Sequence, residues 1–210
     1  MSDAHQHPRS DQVHFIEAQS VTLVDFPAEG FILDIGGGGE GIIGQLKGAQ
    51  VVAIDPNKRE LAEAPAGPLK IIMDGSQLNF LEATFQTATA FFSFMFIPPA
   101  LHEKIIAEAF RVLAPGGHFK VWDVVIPPWG NDAEEYFAIR LEIHLPDGEV
   151  STSYGLPWPA EGYDLEHYLR AAQEAGFDVA TQEQKGMLFY LELEKSGFNP
   201  IFEPTSANDS

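Results

Sequence analysis

Short apolar runs alternate along this chain with stretches whose apolar residues recur every three or four positions. Residues 31–35 (FILDI), 51–54 (VVAI) and 69–73 (LKIIM) each have the length of a buried strand. Each also stops at turn-forming residues: glycines after the first, Asp55-Pro56 after the second, Asp74-Gly75 after the third. A longer run at 89–97 (TAFFSFMFI) ends at Pro98-Pro99, and 118–126 (HFKVWDVVI) supplies a fifth. Uninterrupted apolar strands are those buried on both faces, as in a parallel sheet flanked by helices. The intervening segments supply the helices. One begins near Ile42 and another near Pro56. Between 99 and 113, Leu101, Ile105, Ala109 and Phe110 share a helical face that Ile106 and Leu113 widen, and Pro115-Gly116-Gly117 ends it. A further helix over 164–175 stops at Gly176. Strands at 177–184 and 187–195 follow, joined at Lys185-Gly186 as an antiparallel hairpin. This order predicts a doubly wound α/β fold.

Two regions break the alternation. Residues 127–163 hold Pro127-Pro128, Trp129, a strand over 136–145, a turn at Pro146-Asp147-Gly148 and an aromatic and proline segment at 154–159. They read as an insertion with its own hairpin after the fifth strand. Residues 1–12 and 196–210 are polar and proline-containing, so both read as weakly ordered tails around a folded domain at 13–195. His5 and His7 in the first tail offer a metal no fixed geometry, and no metal site is predicted.

Composition narrows the partners. A chain of 210 residues with 45% hydrophobic and 20% charged residues suits one soluble core, and no apolar run is long enough to cross a bilayer. Twelve basic against 31 acidic residues give a formal charge of −19, a field that repels phosphate backbones and anionic lipid heads. Nucleic acid and membrane surfaces are therefore not expected partners. The absence of cysteine removes disulfides, thiolate metal sites and thiol nucleophiles. With no cationic, apolar leader in MSDAHQHPRS, the expected location is the cytoplasm.

In open parallel sheets ligands bind beyond the carboxyl ends of the strands. There the chain places four consecutive glycines, Gly36 to Gly39, more than a turn requires and suited to close approach of a ligand. Gly36, Gly38 and Gly41 fit the dinucleotide pattern G-x-G-x-x-G, with Asp55 about where a ribose-binding acid would stand. Asp34 separates the readings. A carboxylate just before the glycines repels a pyrophosphate and suits a cationic amino-acid moiety, which leaves an NAD(P)-dependent oxidoreductase as an alternative carried by the glycine pattern alone. Taken singly, Asp55 reads equally well as a helix cap, and Asp74 as a turn residue.

Taken together, LDIGGGGEG, VVAIDP, IIMDGSQLNF and FRVLAPGGHFKVWD, in this order and spacing, resemble the class I S-adenosylmethionine-dependent methyltransferases, small-molecule members in particular. The resemblance covers 31–126 and continues more loosely to 195. It implies a Rossmann-like seven-stranded sheet of order 3-2-1-4-5-7-6 with the last hairpin antiparallel. It implies a cofactor, S-adenosylmethionine, among Asp34, Gly36, Gly37, Gly38, Asp55, Pro56, Asp74, Gly75 and Ser93. Asp55 would take the ribose hydroxyls, while Asp74 and the Gly75 amide would face the adenine. The implied activity is methyl transfer to a small or medium-sized acceptor with release of S-adenosylhomocysteine. Three departures stand out. Glu40 occupies the third glycine's place, so the loop reads as one residue longer; Gln86 stands where many relatives have an acid; and no Asn-Pro-Pro-aromatic motif follows the fourth strand, which sets aside amino-group methylation of bases or glutamine.

Positioning alone accelerates methyl transfer, so no acid–base pair is required and no catalytic residue is assigned. On the acceptor side the expected residues are His102, on the helix after the fourth strand, and Trp129, His144, Tyr154 and Trp158 of the insertion. Packed or surface histidines and an accessory core or homodimer contact are the plainer uses of the same residues. A protein that keeps the fold but only binds the cofactor, or docks a partner through the insertion, is the non-enzymatic alternative.

Overall fold

The computed structural model describes residues 9–130 and 134–197. Along the chain lie β1 (Val13–Thr22), β2 (Ile32–Ile35), α1 (Ile42–Lys47), β3 (Val51–Asp55), α2 (Lys58–Glu63), β4 (Leu69–Ile72) and β5 (Phe85–Phe91). Then come α3 (His102–Val112), β6 (Leu113–Val124), β7 (Tyr136–Leu145), β8 (Gly148–Pro157), α4 (Leu165–Ala175), β9 (Asp178–Lys185) and β10 (Leu188–Glu194). The strands form two sheets. The larger has the order β4-β3-β2-β5-β6-β10-β9, parallel except for β10, which runs antiparallel to both β6 and β9. This is the order expected from the resemblance.

All four residues of β2 are buried, as are the first four of β3, because helices cover both faces of the sheet. Asn57 caps α2 by accepting the Arg59 amide at 3.0 Å, and Asp164 caps α4 through the His167 amide at 3.1 Å. Strand order reverses between β2 and β5, and the carboxyl ends of these two strands meet at Gly36 and Ser93. Ser93 is so close that a Cβ on Gly36 would lie 2.4 Å from its Cβ, and φ at Gly36 is +77°. Only glycine fits there.

The apolar run at 89–97 is not one strand. β5 begins four residues earlier, at Phe85, and ends at Phe91; Phe92 takes φ +46° and Phe94–Phe96 form a 3-10 turn. The cause lies in the neighbouring strand. The Phe92 amide donates to the Trp122 carbonyl at 2.7 Å, and the buried Asp123 carboxylate then accepts the Phe94 amide at 2.8 Å, turning the chain out of the sheet. β6 also starts earlier than the pattern predicts, directly after α3, with a register shift over Pro115-Gly116-Gly117.

The smaller sheet has the order β1-β7-β8. The hairpin β7–β8 lies in the expected insertion, and its second strand absorbs Tyr154 to Pro157. β1 was not expected. It pairs parallel with β7 from Val13↔Tyr136 to Thr22↔His144, so the insertion is not free-standing but recruits the chain's first strand. Of the expected first tail, Ser10–Gln12 form a 3-10 turn whose Gln12 carbonyl accepts the Glu135 amide at 2.8 Å. Residues 1–8 of that tail, with His5 and His7, and residues 198–210 of the second lie outside the described residues. Phe137, Ile139, Leu141 and Ile143 of β7 are fully buried and join the same apolar cluster as the large sheet.

Candidate functional site

A cleft of about 760 Å³ opens above the carboxyl ends of β2, β3, β4 and β5. Its floor is the glycine loop. The amides of Gly36 and Gly37 both donate to the Ile54 carbonyl, at 2.8 and 3.0 Å, and pin the loop to β3. A Cβ on Gly38 would lie 2.6 Å from Glu60 Cβ and 2.9 Å from Asp55 Oδ2, so the loop backbone passes close beside the Asp55 carboxylate. Of the residues singled out from sequence, Gly36, Gly38, Asp55, Pro56, Asp74, Gly75, Ser93 and Tyr154 line this one cleft.

Each has a local reason for its place. Asp55 ends β3 and holds its own turn, Oδ1 accepting the Asn57 amide at 2.7 Å; partial burial raises its pKa, against the Asn57 and Gly38 amides, which lower it. Asp74 makes the equivalent turn, accepting the Ser76 amide at 2.8 Å. The capping and turn readings of these two acids are thus real, and both still border the cleft. Ser93 Oγ donates to the Ile35 carbonyl at 2.9 Å and ties β5 to β2. Met73, Ile97, Leu101 and Ile105 give the cleft apolar walls, and Phe92, Phe96 and Tyr154 give it an aromatic one.

Asp34 and Gly37 lie beneath the cleft rather than on it. Asp34 is 2% exposed, Thr89 Oγ1 donates to its Oδ1 at 2.7 Å, and a Cβ on Gly37 would sit 2.6 Å from its Oδ2. Burial pushes its pKa up to about 7; the Thr89 hydroxyl opposes this and the Asp55 charge adds to it.

Four of the five acceptor-side residues are elsewhere. His102 is fully buried. Its Nε2 lies 2.9 and 3.1 Å from the Ile97 and Phe94 carbonyls, which only accept, so Nε2 carries the proton and Nδ1 accepts from His167 Nε2 at 3.0 Å. Burial lowers its pKa to about 4, and it supports the wall from behind as a packed histidine. His144 bonds Ser20 and Glu149 on the second sheet. Trp129 donates to the Glu134 carbonyl at 2.6 Å, and Trp158 donates to the Pro127 carbonyl at 2.8 Å and packs on His14. The aromatics of the insertion thus brace its own ends, and only Tyr154 reaches the cleft.

Sequence reasoning missed Glu40 and Thr152 as contacts. Tyr154 donates to Glu40 Oε2 at 2.9 Å, and the Thr152 hydroxyl donates to Glu40 Oε1, joining the glycine loop to β8. The signal was the acid in a glycine's place; its partners lie more than a hundred residues away in sequence.

Among the described residues no cluster of metal-ligating side chains occurs, and no helix is long and apolar enough to cross a membrane. A family model described as a methyltransferase domain matches residues 33–121. The chain is 31% identical over 166 residues to a demethylmenaquinone methyltransferase of Thermus thermophilus, covering 70% of this chain and 74% of that protein. It is 27% identical over 172 residues to a sterol 24-C-methyltransferase of Neurospora crassa, covering 74% of this chain and 44% of that protein. The chain spans less than half the length of the sterol methyltransferases it matches. A solved S-adenosylmethionine-dependent methyltransferase from Methanosarcina mazei shares the fold, with a TM-score of 0.59 at 18% identity, covering 82% of this chain and 95% of that one.

Proposed function

Because this chain belongs to the class I S-adenosylmethionine-dependent methyltransferases, we propose that it transfers a methyl group to a small or medium-sized, apolar, ring-bearing acceptor. The observation that carries this is the convergence of Gly36, Asp55, Asp74 and Ser93 on one cleft whose remaining walls are apolar and aromatic.

The residues fit the cofactor. The loop from Gly36 to Gly38 leaves no room for side chains, so backbone alone meets the ligand there. Asp55 and Asp74 offer acceptor oxygens at two points, matching a ribose diol and an exocyclic amino group. Met73, Ile97 and Ile105, which line the cleft, would flank a flat base, and Ser93 would border the methionyl portion. When bound, the cofactor supplies an electrophilic methyl on a sulfonium; the chain's part is to orient the acceptor in line and to exclude water. Phe92, Phe96 and Tyr154 present ring faces and edges suited to an apolar acceptor. The names of the two relatives cite a sterol and demethylmenaquinone, both apolar ring compounds, and the chain's charge of −19 disfavours a nucleic-acid acceptor.

The test has two arms. S-adenosylmethionine and S-adenosylhomocysteine should each raise the melting temperature, by roughly 2.7 kcal/mol of stabilisation at about 100 times the dissociation constant, while NADH and NADPH should not. Incubation with a panel of phenolic, quinol and sterol acceptors should then release S-adenosylhomocysteine with at least one of them. A shift with NADH alone would overturn the assignment, and cofactor binding without turnover across the panel would favour the non-enzymatic reading.

A further inference from the structure

We infer that Glu40, rather than Asp34, is the carboxylate that receives the ammonium group of the cofactor's methionyl end, held for that task by Tyr154 and Thr152 of the second sheet. The inference rests on the cofactor reading given above and assigns a residue within it. The cofactor's amino-acid end carries a positive charge that needs an acceptor of opposite sign, and β2 with the loop after it holds two carboxylates, Asp34 and Glu40.

Asp34 is badly placed. Its carboxylate lies under the loop backbone, with Oδ1 taken by Thr89 and Oδ2 packed against Gly37, and it does not border the cleft. A ligand above the glycines is separated from it by the peptide chain itself.

Glu40 is well placed. It borders the cleft, and each of its carboxylate oxygens accepts one hydroxyl, from Thr152 and from Tyr154. An ionised carboxylate has about four acceptor positions, so capacity remains on both oxygens for an ammonium. A glutamate side chain alone is too mobile to make a firm ion pair in a cleft, and two fixed hydroxyls remove that freedom before the ligand arrives. Location adds to this. Tyr154 packs on Phe92 and Phe96, the residues on either side of the turn after Ser93, and Ser93 touches Gly36. Glu40 is thereby joined, through Tyr154, to the aromatic end of the cleft. The other acids bordering it, Asp55, Glu60, Glu63 and Asp74, stand on β3, α2 and the turn after β4, and Glu60 and Glu63 pair with Arg59 at 3.6 and 3.5 Å. It follows that the second sheet completes the cofactor site as well as walling the acceptor.

Calorimetry with three ligands tests this without an acceptor. S-adenosylmethionine and S-adenosylhomocysteine both carry the ammonium, only the first carries the sulfonium, and 5′-methylthioadenosine carries neither. Glu40→Gln, which conserves size, should weaken the first two alike, by about 10- to 100-fold, and leave 5′-methylthioadenosine unchanged. The double variant Thr152→Val with Tyr154→Phe keeps the charge but frees it, and should weaken the same two ligands by a smaller factor, again sparing the third. Unchanged binding of all three to Glu40→Gln would overturn the proposal, making Glu40 a latch between loop and sheet only. Equal weakening of all three would overturn it as a displaced loop, and loss confined to S-adenosylmethionine would place the carboxylate at the sulfonium. If the parent protein binds none of the three, the cofactor reading itself has failed, an outcome the variants cannot mimic.

Discussion

Asp34 matters at the scale of the single residue even if no ligand touches it. Its carboxyl is neutral at acidic pH and ionises only near pH 7, because burial disfavours the charge more than the Thr89 hydroxyl stabilises it. In the unfolded chain the same group ionises near its ordinary value of 3.8. Between those limits the folded state binds more protons, so its contribution to stability is fully present below about pH 4 and is lost as pH rises through 7. The loss amounts to up to about 4 kcal/mol. Urea unfolding followed from pH 5 to 8 should show stability falling with pH, and Asp34→Asn, which still accepts from Thr89, should make that slope shallower, the remainder belonging to Asp123, whose pKa burial also raises to about 7. A parallel slope in the variant would show that Asp34 ionises normally in the fold. The residue type at 34 was readable from sequence as an acid beside glycines. Its burial was not, since nothing in LDIGGGG tells which side of the loop the side chain takes.

At the scale of the element, the turn after β5 shapes the aromatic wall, and Asp123 holds it. Its two oxygens accept the amides of Phe94 and Val124, each at 2.8 Å, within a fully buried site. Asp123→Asn would aim an NH₂ group at one of those donors and should cost about 2–3 kcal/mol, read as a lower urea midpoint with an unchanged slope. No change in midpoint would mean that the turn is held by its apolar contacts instead. The same turn explains what the hydrophobic pattern left unread. Residues 91–95 are buried on every side, so the run carries no period that marks where β5 stops. By contrast β2, β3, β4 and the final hairpin end at glycine, proline or aspartate and were legible, while the order of the large sheet came only with the family resemblance. β1 was invisible because VHFIEAQSVT buries neither face fully and its partner lies far along the chain. The cleft's glycines, Asp55 and Asp74 were legible for the same reason as the strands, since they sit at strand ends, whereas Ser93, inside the apolar run, came only with the resemblance. The Glu40–Tyr154 bond was not, because it joins two sheets.

For the whole molecule, 31 acidic against 12 basic residues make self-repulsion a general cost of the folded state. Exposed ion pairs such as Arg59–Glu63 offset little of it. Raising sodium chloride from about 0.01 to 0.1 M shortens the screening length from about 30 to 10 Å. The melting temperature should therefore rise, by about 2–4 °C for roughly 1 kcal/mol of relieved repulsion; a fall would show that ion pairs outweigh the repulsion. The pairing of β1 with β7 has a consequence in time. Where the two strands begin, Gln12 meets Glu135 across 123 residues of sequence. At synthesis rates of about 5–20 residues per second, the first strand leaves the ribosome on the order of ten seconds before its partner exists. Through that interval β1 has no partner, and its Phe15 is exposed even in the finished fold, while β2, β3 and β4, the floor under the glycine loop, emerge and can assemble. The roof over the cleft can thus be fastened only after the floor strands have been made, by a strand synthesised well before its partner.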